Sequence, residues 1–235
     1  DDDNADRMSS GSAGSSDLGD VATCTFGWFR ETYVLNIADN TWTRLNTAGP
    51  QEPTPRCASG VAVLDGKLWV FGGRDSTGRL NDLYELPLPA RGDDPLTARQ
   101  WTKRGLNGQP PQPRVFPVTV SLPGAHPRLV IYGGTNPNDQ LLGDLHLYDV
   151  TSDAWIQPQQ QLTAPPPRRA AAGALLPDRT LLVFAGSLVP TAVSQGMGMI
   201  VDVAPQPGVP VADLYSLDCS PMMSFPVPVI APPPQ

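Results

Sequence analysis

Residues 61–73 read VAVLDGKLWVFGG, and this stretch decides the fold. Two runs rich in β-branched and aromatic residues flank Asp65-Gly66, a strong signal for a two-residue turn between antiparallel strands. The second run closes on Gly72 and Gly73, residue types that permit a close backbone approach or a positive φ angle. The stretch therefore predicts a β-hairpin whose second strand ends at a glycine pair.

The second half of this hairpin recurs twice along the chain. LVIYGG closes on Gly133 and Gly134, and LLVFAG closes on Ala185 and Gly186. Around these runs three other markers keep a fixed order: a Pro-Arg pair, an Asp-Leu element followed by Tyr or His, and a Trp. Their members are Arg56, Arg114 and Arg168, then Tyr84, His146 and Tyr215, and finally Trp42, Trp101 and Trp155.

The spacing of these markers indicates a true repeat. The three arginines are 58 and 54 positions apart, and the three tryptophans are 59 and 54 positions apart, so both sets drift together. No long segment has helical periodicity. Each unit is predicted to be a small antiparallel meander, which cannot bury both of its faces alone and has to stack against its neighbours.

The ordered set of markers resembles the kelch repeat. The resemblance implies an all-β, kelch-type β-propeller with four-stranded antiparallel blades, forming an incomplete ring of about three to four blades. In this family the glycine pair ends the second strand of a blade, the Tyr lies in the third strand and the Trp in the fourth. The first unit has lost its glycine pair, and the last unit has no Trp after Tyr215.

This reading divides the chain into tails and repeats. An acidic, Ser/Gly-rich tail and a Pro-rich tail flank the kelch repeats, which include a partial first blade and a last blade with a long insertion. The ranges are 1–20 for the acidic tail, 21–219 for the repeats (21–50, 51–105, 110–160 and 164–218, with the insertion at 187–212) and 220–235 for the Pro-rich tail. We expect the remaining blades to come from sequence outside these residues or from another chain.

The insertion at 187–212 is a candidate partner-binding segment, because exposed apolar loops on a rigid scaffold often bind other proteins. Its candidate contact residues are Val189, Met197, Met199 and Ile200, and Met suits adaptable contacts. The alternative is that this segment folds back over the propeller edge. Arg74 follows a glycine pair without a counterpart in the other units, and is a further candidate contact. Arg56, Arg114 and Arg168 recur with the blades, which favours hydrogen bonds within the scaffold.

The composition limits the kinds of binding partner and the cellular compartment that we expect. The formal net charge is −7 and lysines and arginines form no cluster, so no nucleic-acid partner is expected. No apolar run is long enough for membrane insertion. Cys24, Cys57 and Cys219 match neither a zinc site nor a disulfide framework. We interpret them as thiols of a cytoplasmic protein, cytoskeletal or ciliary in location, while a Cys24–Cys57 disulfide in an extracellular protein stays open.

The sequence has no evident catalytic, metal or cofactor site. Copper radical oxidases resemble these repeats, but that chemistry needs two His ligands with Tyr and Cys nearby. This chain has only His126 and His146, and the latter occupies a Tyr position of the repeat. We therefore expect a non-catalytic interaction scaffold that binds other protein chains, an adaptor within a large complex or a multidomain protein. The alternative is a propeller appended to an enzyme, phosphatase-like or oxidase-like, whose catalytic part lies outside this sequence.

Overall fold

The computed structural model describes residues 27–47, 49–90, 92–105, 107–158, 165–187 and, for the backbone alone, 214–218. Within these ranges the chain forms strands and turns without a helix. The strands are β1 Tyr33–Asn36, β2 Thr41–Arg44, β3 Gly60–Leu64, β4 Lys67–Asp75, β5 Gly78–Pro87, β6 Thr102–Arg104, β7 Val118–Leu122, β8 Arg128–Thr135, β9 Leu141–Asp149, β10 Ala154–Ile156, β11 Ala172–Leu175, β12 Thr180–Phe184 and β13 Leu214–Asp218.

Every sheet is an antiparallel meander in chain order. We call them the first sheet (β1–β2), the second blade (β3–β6), the third blade (β7–β10) and the fourth sheet (β11–β13). The two blades have four strands each, whereas the described parts of the first and fourth sheets have two and three. The expected all-β propeller with four-stranded antiparallel blades is confirmed.

The hairpin around Asp65 and Gly66 forms as expected. Leu64 pairs with Lys67, and the two residues between them have φ angles of 51° and 70°. Both central residues are left-handed, as a type I′ turn requires, and its twist matches that of the flanking strands.

The glycine pair lies elsewhere than expected. Strand β4 continues past Gly72 and Gly73 to Asp75, and its register against β5 shifts between Phe71 and Gly73. The pair therefore forms a β-bulge inside the strand, with φ angles of 60° and 92°, instead of ending it. Gly133 and Gly134 form the same bulge in β8. A strand can resume its pairing after a bulge, so glycines alone did not locate its end.

The core lies between the sheets and not within any one of them. Three apolar clusters fill the successive interfaces, as expected for blades that bury their faces against neighbours. The first-to-second cluster contains Leu45, Tyr84, Leu86 and Trp101; the second-to-third contains Leu64, Trp69, Phe71, Leu83, Leu129, Ile131, Tyr148 and Trp155; the third-to-fourth contains Val118, Val120, Leu122, Val130, Tyr132, Leu145, Leu147, Leu181 and Val183.

The innermost strands β3, β7 and β11 pack side by side because two glycines leave space for the neighbouring strand. A Cβ atom on Gly60 would lie 2.0 Å from Thr119 Oγ1, and one on Gly173 would lie 2.2 Å from Val118 Cγ1. A shallow groove of about 360 Å³ runs along these strands, lined by residues such as Ala62, Ser121 and Leu175.

Candidate interaction surface

A buried arginine ties together the second blade. Arg56 Nη1 donates to the carbonyl of Gly72 at 3.1 Å, and its two terminal nitrogens hold both carboxylate oxygens of Asp82 at 2.6 and 3.0 Å. Arg56 Nε donates to the Thr54 carbonyl at 3.1 Å. Such a two-pronged guanidinium–carboxylate pair fixes orientation as well as distance. We call this arrangement the Arg clamp.

The third blade repeats the clamp with the same partners. Arg114, whose side chain is 0% exposed, donates to the Gly133 carbonyl at 3.0 Å and to both oxygens of Asp144 at 2.8 Å. Its Nε binds the Gln112 carbonyl, two residues earlier, at 3.1 Å. The recurrent arginine thus joins the glycine bulge of its own blade to the Asp that begins the Asp-Leu element.

In the fourth sheet, Arg168 makes the two carbonyl contacts of the clamp. Arg168 Nε donates to the Pro166 carbonyl at 3.1 Å, and Nη1 donates to the Ala185 carbonyl at 2.9 Å. Asp213 has the sequence position of Asp82 and Asp144, and lies outside the described residues.

The backbones of two clamp arginines, Arg114 and Arg168, also bind the preceding blade. Arg114 donates its N–H to the Leu80 carbonyl at 2.9 Å and accepts from the Gly73 N–H at 2.9 Å. Arg168 makes the same two bonds to Leu142 and Gly134, at 3.0 and 2.8 Å. A Cβ on the first glycine of each bulge would lie 2.9 or 2.7 Å from the arginine carbonyl, so this link needs glycine there.

His146 replaces the repeat Tyr in the third blade. In the second blade the ring of Tyr84 lies 5.4 Å from the Arg56 guanidinium carbon. His146 instead brings Nε2 within 2.8 Å of Asp144 Oδ2. Burial opposes ionisation of Asp144, but the hydrogen bonds from His146 and Arg114 outweigh it and hold the pKa of this carboxyl well below its usual range.

The links between sheets and the turns between second and third strands lie on one side of the molecule, which we call the loop face. Asp75 accepts hydrogen bonds from the Thr54 and Thr77 hydroxyls at 2.7 and 2.6 Å. Burial raises the pKa of Asp75, but these bonds prevail and lower it to about 2. In the third blade Asn136 plays the same part, donating to Gln112 Oε1 at 3.1 Å. The turns of this face are therefore held by side chains as well as by backbone.

An ion pair joins two neighbouring turns of the loop face. The guanidinium of Arg79, in the second blade, binds the Asp139 carboxylate in the third. The Arg79 side chain is 12% exposed, whereas Asp139 is partly open to solvent. The start of β5, directly after the turn of the second blade, is thus held in one position relative to the turn between β8 and β9.

Of the predicted partner-binding residues, Arg74 alone lies among the residues that the structure describes. Arg74 lies half-buried in β4, where its backbone exchanges hydrogen bonds with Cys57 at 2.9 and 3.0 Å. The other predicted contacts, Val189, Met197, Met199 and Ile200, lie outside the described residues. Of the later repeat markers, Trp101 immediately precedes β6, Trp155 lies in β10, Gly186 follows β12 and Tyr215 lies in β13.

A charged network between the second and third blades has no counterpart in the sequence analysis. Glu85 lies between Lys67 Nζ at 2.9 Å and Arg104 Nη1 at 3.8 Å. Arg104 Nε donates to the Tyr148 hydroxyl at 3.3 Å, and that hydroxyl donates to Asp153 at 2.6 Å. Its members come from five separate segments and do not recur, so the repeat pattern contained no signal for it.

The described residues contain neither a metal-binding cluster nor a membrane-spanning helix. No group of three or more His, Cys, Asp or Glu side chains in those ranges is placed to hold a metal ion. No helix there has the length and apolar character needed to cross a lipid bilayer.

Comparison with known families finds a match that covers the repeat region. The family model "KLHDC2/KLHL20/DRC7 Kelch-repeats domain" matches residues 23–222. Kelch domain-containing protein 1 of Mus musculus is 29% identical over 163 residues, which is 69% of this chain and 37% of that protein. Adagio-like protein 1 of Oryza sativa subsp. japonica is 33% identical over 162 residues, covering 66% of this chain and 24% of that protein.

A third relative has a name that refers to a partner. Rab9 effector protein with kelch motifs from Rattus norvegicus is 27% identical over 146 residues, which is 61% of this chain and 37% of that protein. The chain thus spans no more than 37% of the length of these three relatives.

Proposed function

The chain belongs to the kelch-repeat family, and from that premise we propose that it is a non-catalytic scaffold that binds other protein chains within a larger assembly. Kelch-repeat domains are protein-interaction propellers, and function in such folds resides in loops carried by the scaffold. The loop face is the proposed partner surface.

The observation that carries this proposal is the repeated Arg clamp. Arg56 and Arg114 each join the glycine bulge and the Asp of their own blade, and the backbones of Arg114 and Arg168 bind the blade before their own. The roots of the loop-face turns are therefore fixed relative to one another. A surface that is ordered before binding loses little conformational entropy when a partner docks.

The loop face also presents exposed polar side chains at the tips of ordered turns. Asn138 is exposed in the turn between β8 and β9, next to Asp139 of the inter-blade ion pair. Ser76 and Thr77 are exposed at the equivalent turn of the second blade. The insertion at 187–212 is bounded by the strands β12 and β13, which are second and third in their sheet, so it belongs to the same class of connection.

The test is affinity capture from the native source with two matched variants of the third blade. Asn138→Arg places a bulky charge on the loop face, and Ala125→Arg places one at an exposed position of the opposite hairpin, between β7 and β8. We expect Asn138→Arg to reduce recovery of the stoichiometric partner at least about tenfold, the effect of losing roughly 1.4 kcal/mol of binding free energy. Ala125→Arg should leave recovery unchanged.

Crosslinking mass spectrometry on the captured complex gives the second readout. Crosslinks from the partner to lysine or acidic side chains near the loop face support the proposal. A partner that is lost with Ala125→Arg and retained with Asn138→Arg would move the binding surface to the opposite face. Circular dichroism of both variants checks that the sheets are intact.

A further inference from the structure

Among the described residues, the fourth sheet has an uncovered apolar face on the side away from the third blade, which we call its open face. Register places Ala172 opposite Phe184 and Ala174 opposite Leu182, so these four side chains share one face. Phe184 is 49% exposed, and both alanines are exposed as well. A large aromatic side chain on the central strand of a sheet is normally covered by another layer.

The first sheet has a second open face on the side away from the second blade, where no part of the chain that the structure describes covers it. Leu35 pairs with Trp42 and Tyr33 pairs with Arg44, so these side chains share a face, while Val34 packs on the other side against the second blade. Trp42 is 66% exposed and Tyr33 is 55% exposed. Apolar faces of this kind mark sites of association.

The interface between the second and third blades indicates what each open face is built to contact. There Phe71, directly before the glycine bulge, packs on Trp155 with ring centroids 5.3 Å apart and planes tilted by 58°. Phe184 has the same place directly before Ala185 and Gly186. Trp42 has the place of Trp155, because each follows a left-handed turn residue, Asn40 or Asp153, by two positions.

The two open faces are therefore the two halves of one blade-to-blade contact. The fourth sheet offers the phenylalanine half, and the first sheet offers the tryptophan half. We propose, beyond the partner binding described above, that a second copy of this chain covers these faces head to tail, with Trp42 of one copy packed on Phe184 of the other. Because the chain carries both halves, a second copy supplies a matching surface for each open face without another kind of partner.

This contact is heterologous, since different surfaces of the two copies meet. Such contacts close into a ring if the rotation allows and otherwise continue as a chain. Two copies that meet at both faces would bring eight sheets into one ring, within the range of four to eight blades that propellers adopt. Exposed strand edges and apolar faces would then be removed together.

The first measurement is the mass of the full chain by sedimentation velocity across a range of concentrations. We expect at least twice the 25.1 kDa of one copy. Trp42→Lys and Phe184→Lys should each return the mass to that of one copy, because both substituted side chains are exposed in the single copy. Ile37→Lys is the matched control: Ile37 is 87% exposed in the β1–β2 turn, outside the proposed contact, and its substitution should leave the mass unchanged.

The second measurement separates contacts between copies from contacts within one copy. In a background with Cys24, Cys57 and Cys219 changed to Ser, one preparation carries Trp42→Cys and a second, with a larger tag, carries Phe184→Cys. A short bis-maleimide should join the two preparations on mixing and should join neither one to itself. A single-copy mass at every concentration would overturn the proposal. An internal crosslink from Phe184→Cys to Met199→Cys at high dilution would also overturn it, because the chain's own insertion would then cover the face.

Discussion

The surface between the second and third blades differs in kind from the surface between the third blade and the fourth sheet. The former combines the charged network around Glu85 and Arg104 with four aromatic rings, of which Tyr148 contacts both Trp69 and Trp155 at 5.6 and 5.2 Å. The latter is almost entirely aliphatic. Strand β9 supplies side chains to both surfaces, so the difference does not come from the strand or its register.

The pair Glu85 and Leu147 explains part of this difference. Both lie in the third strand of a blade, one position after the repeat Tyr or His, and both are buried. Glu85 requires cations on the neighbouring strands, and Lys67 and Arg104 provide them. Leu147 requires only apolar volume. The residue at this position of the repeat therefore helps to determine whether an interface contains ion pairs and hydrogen bonds or only apolar packing.

The largest expected effect breaks the aromatic interface. Trp155→Ala removes a buried ring that packs on Phe71 and Tyr148, and we expect it to lower the free energy of unfolding by about 4 kcal/mol, the range for large aromatic truncations. Urea denaturation followed by circular dichroism measures it. Trp155→Phe keeps a ring in the cluster and should cost less than half as much. Equal losses for the two variants would contradict the role assigned to the ring contacts.

A smaller effect is expected from the aliphatic interface. Leu147 is 0% exposed, and Leu147→Ala should lower the free energy of unfolding by about 3 kcal/mol through lost burial and a residual cavity. The loss should be the same at low and high salt, because no charge is involved. Leu147→Met conserves most of the volume and serves as the control, with an expected cost below about 1.5 kcal/mol. A salt-dependent loss would mean that the interface is not purely one of packing.

The smallest effect distinguishes the two interfaces by pH. Burial, and then the hydrogen bond to Asp153, raise the pKa of Tyr148 above its ordinary value. Above about pH 10 the unfolded chain loses this proton while the folded chain keeps it, so stability falls as the pH rises. Tyr148→Phe should cost about 1 kcal/mol at neutral pH and should flatten the alkaline decline in melting temperature. An unchanged alkaline slope would remove Tyr148 as its source.

Most of the fold could be predicted from the repeat markers. A turn such as Asp65-Gly66 is a local signal, and Arg56, Arg114 and Arg168 recur because each blade needs the same hydrogen bonds. The recurrence favoured a scaffold role for these arginines without stating which groups they bind. The sequence showed the carboxylate partners, Asp82 and Asp144, only as part of the Asp-Leu element. The spacing of the markers does not indicate that the chain folds back to place each Asp beside the arginine of its blade.

What the sequence could not reveal depends on contacts that do not repeat. Arg104 of the second blade meets Tyr148 and Asp153 of the third only because the two blades stack, and no period connects these residues. The bulge at the glycine pairs was equally hidden, because strand pairing resumes beyond it. Exposure was hidden as well: Trp42 and Trp155 share one repeat position, yet one is exposed and the other buried, which depends on what lies beside each sheet.

The backbone link between blades has a direction. The backbones of Arg114 and Arg168 each bind the glycine bulge of the blade before their own, and each bulge is bound in turn by the arginine of the blade after it. A duplicated copy of one such unit would arrive with its own arginine for the preceding neighbour and its own glycines for the following one. Repeats of this kind can therefore multiply in tandem by gene duplication without any new joint having to evolve.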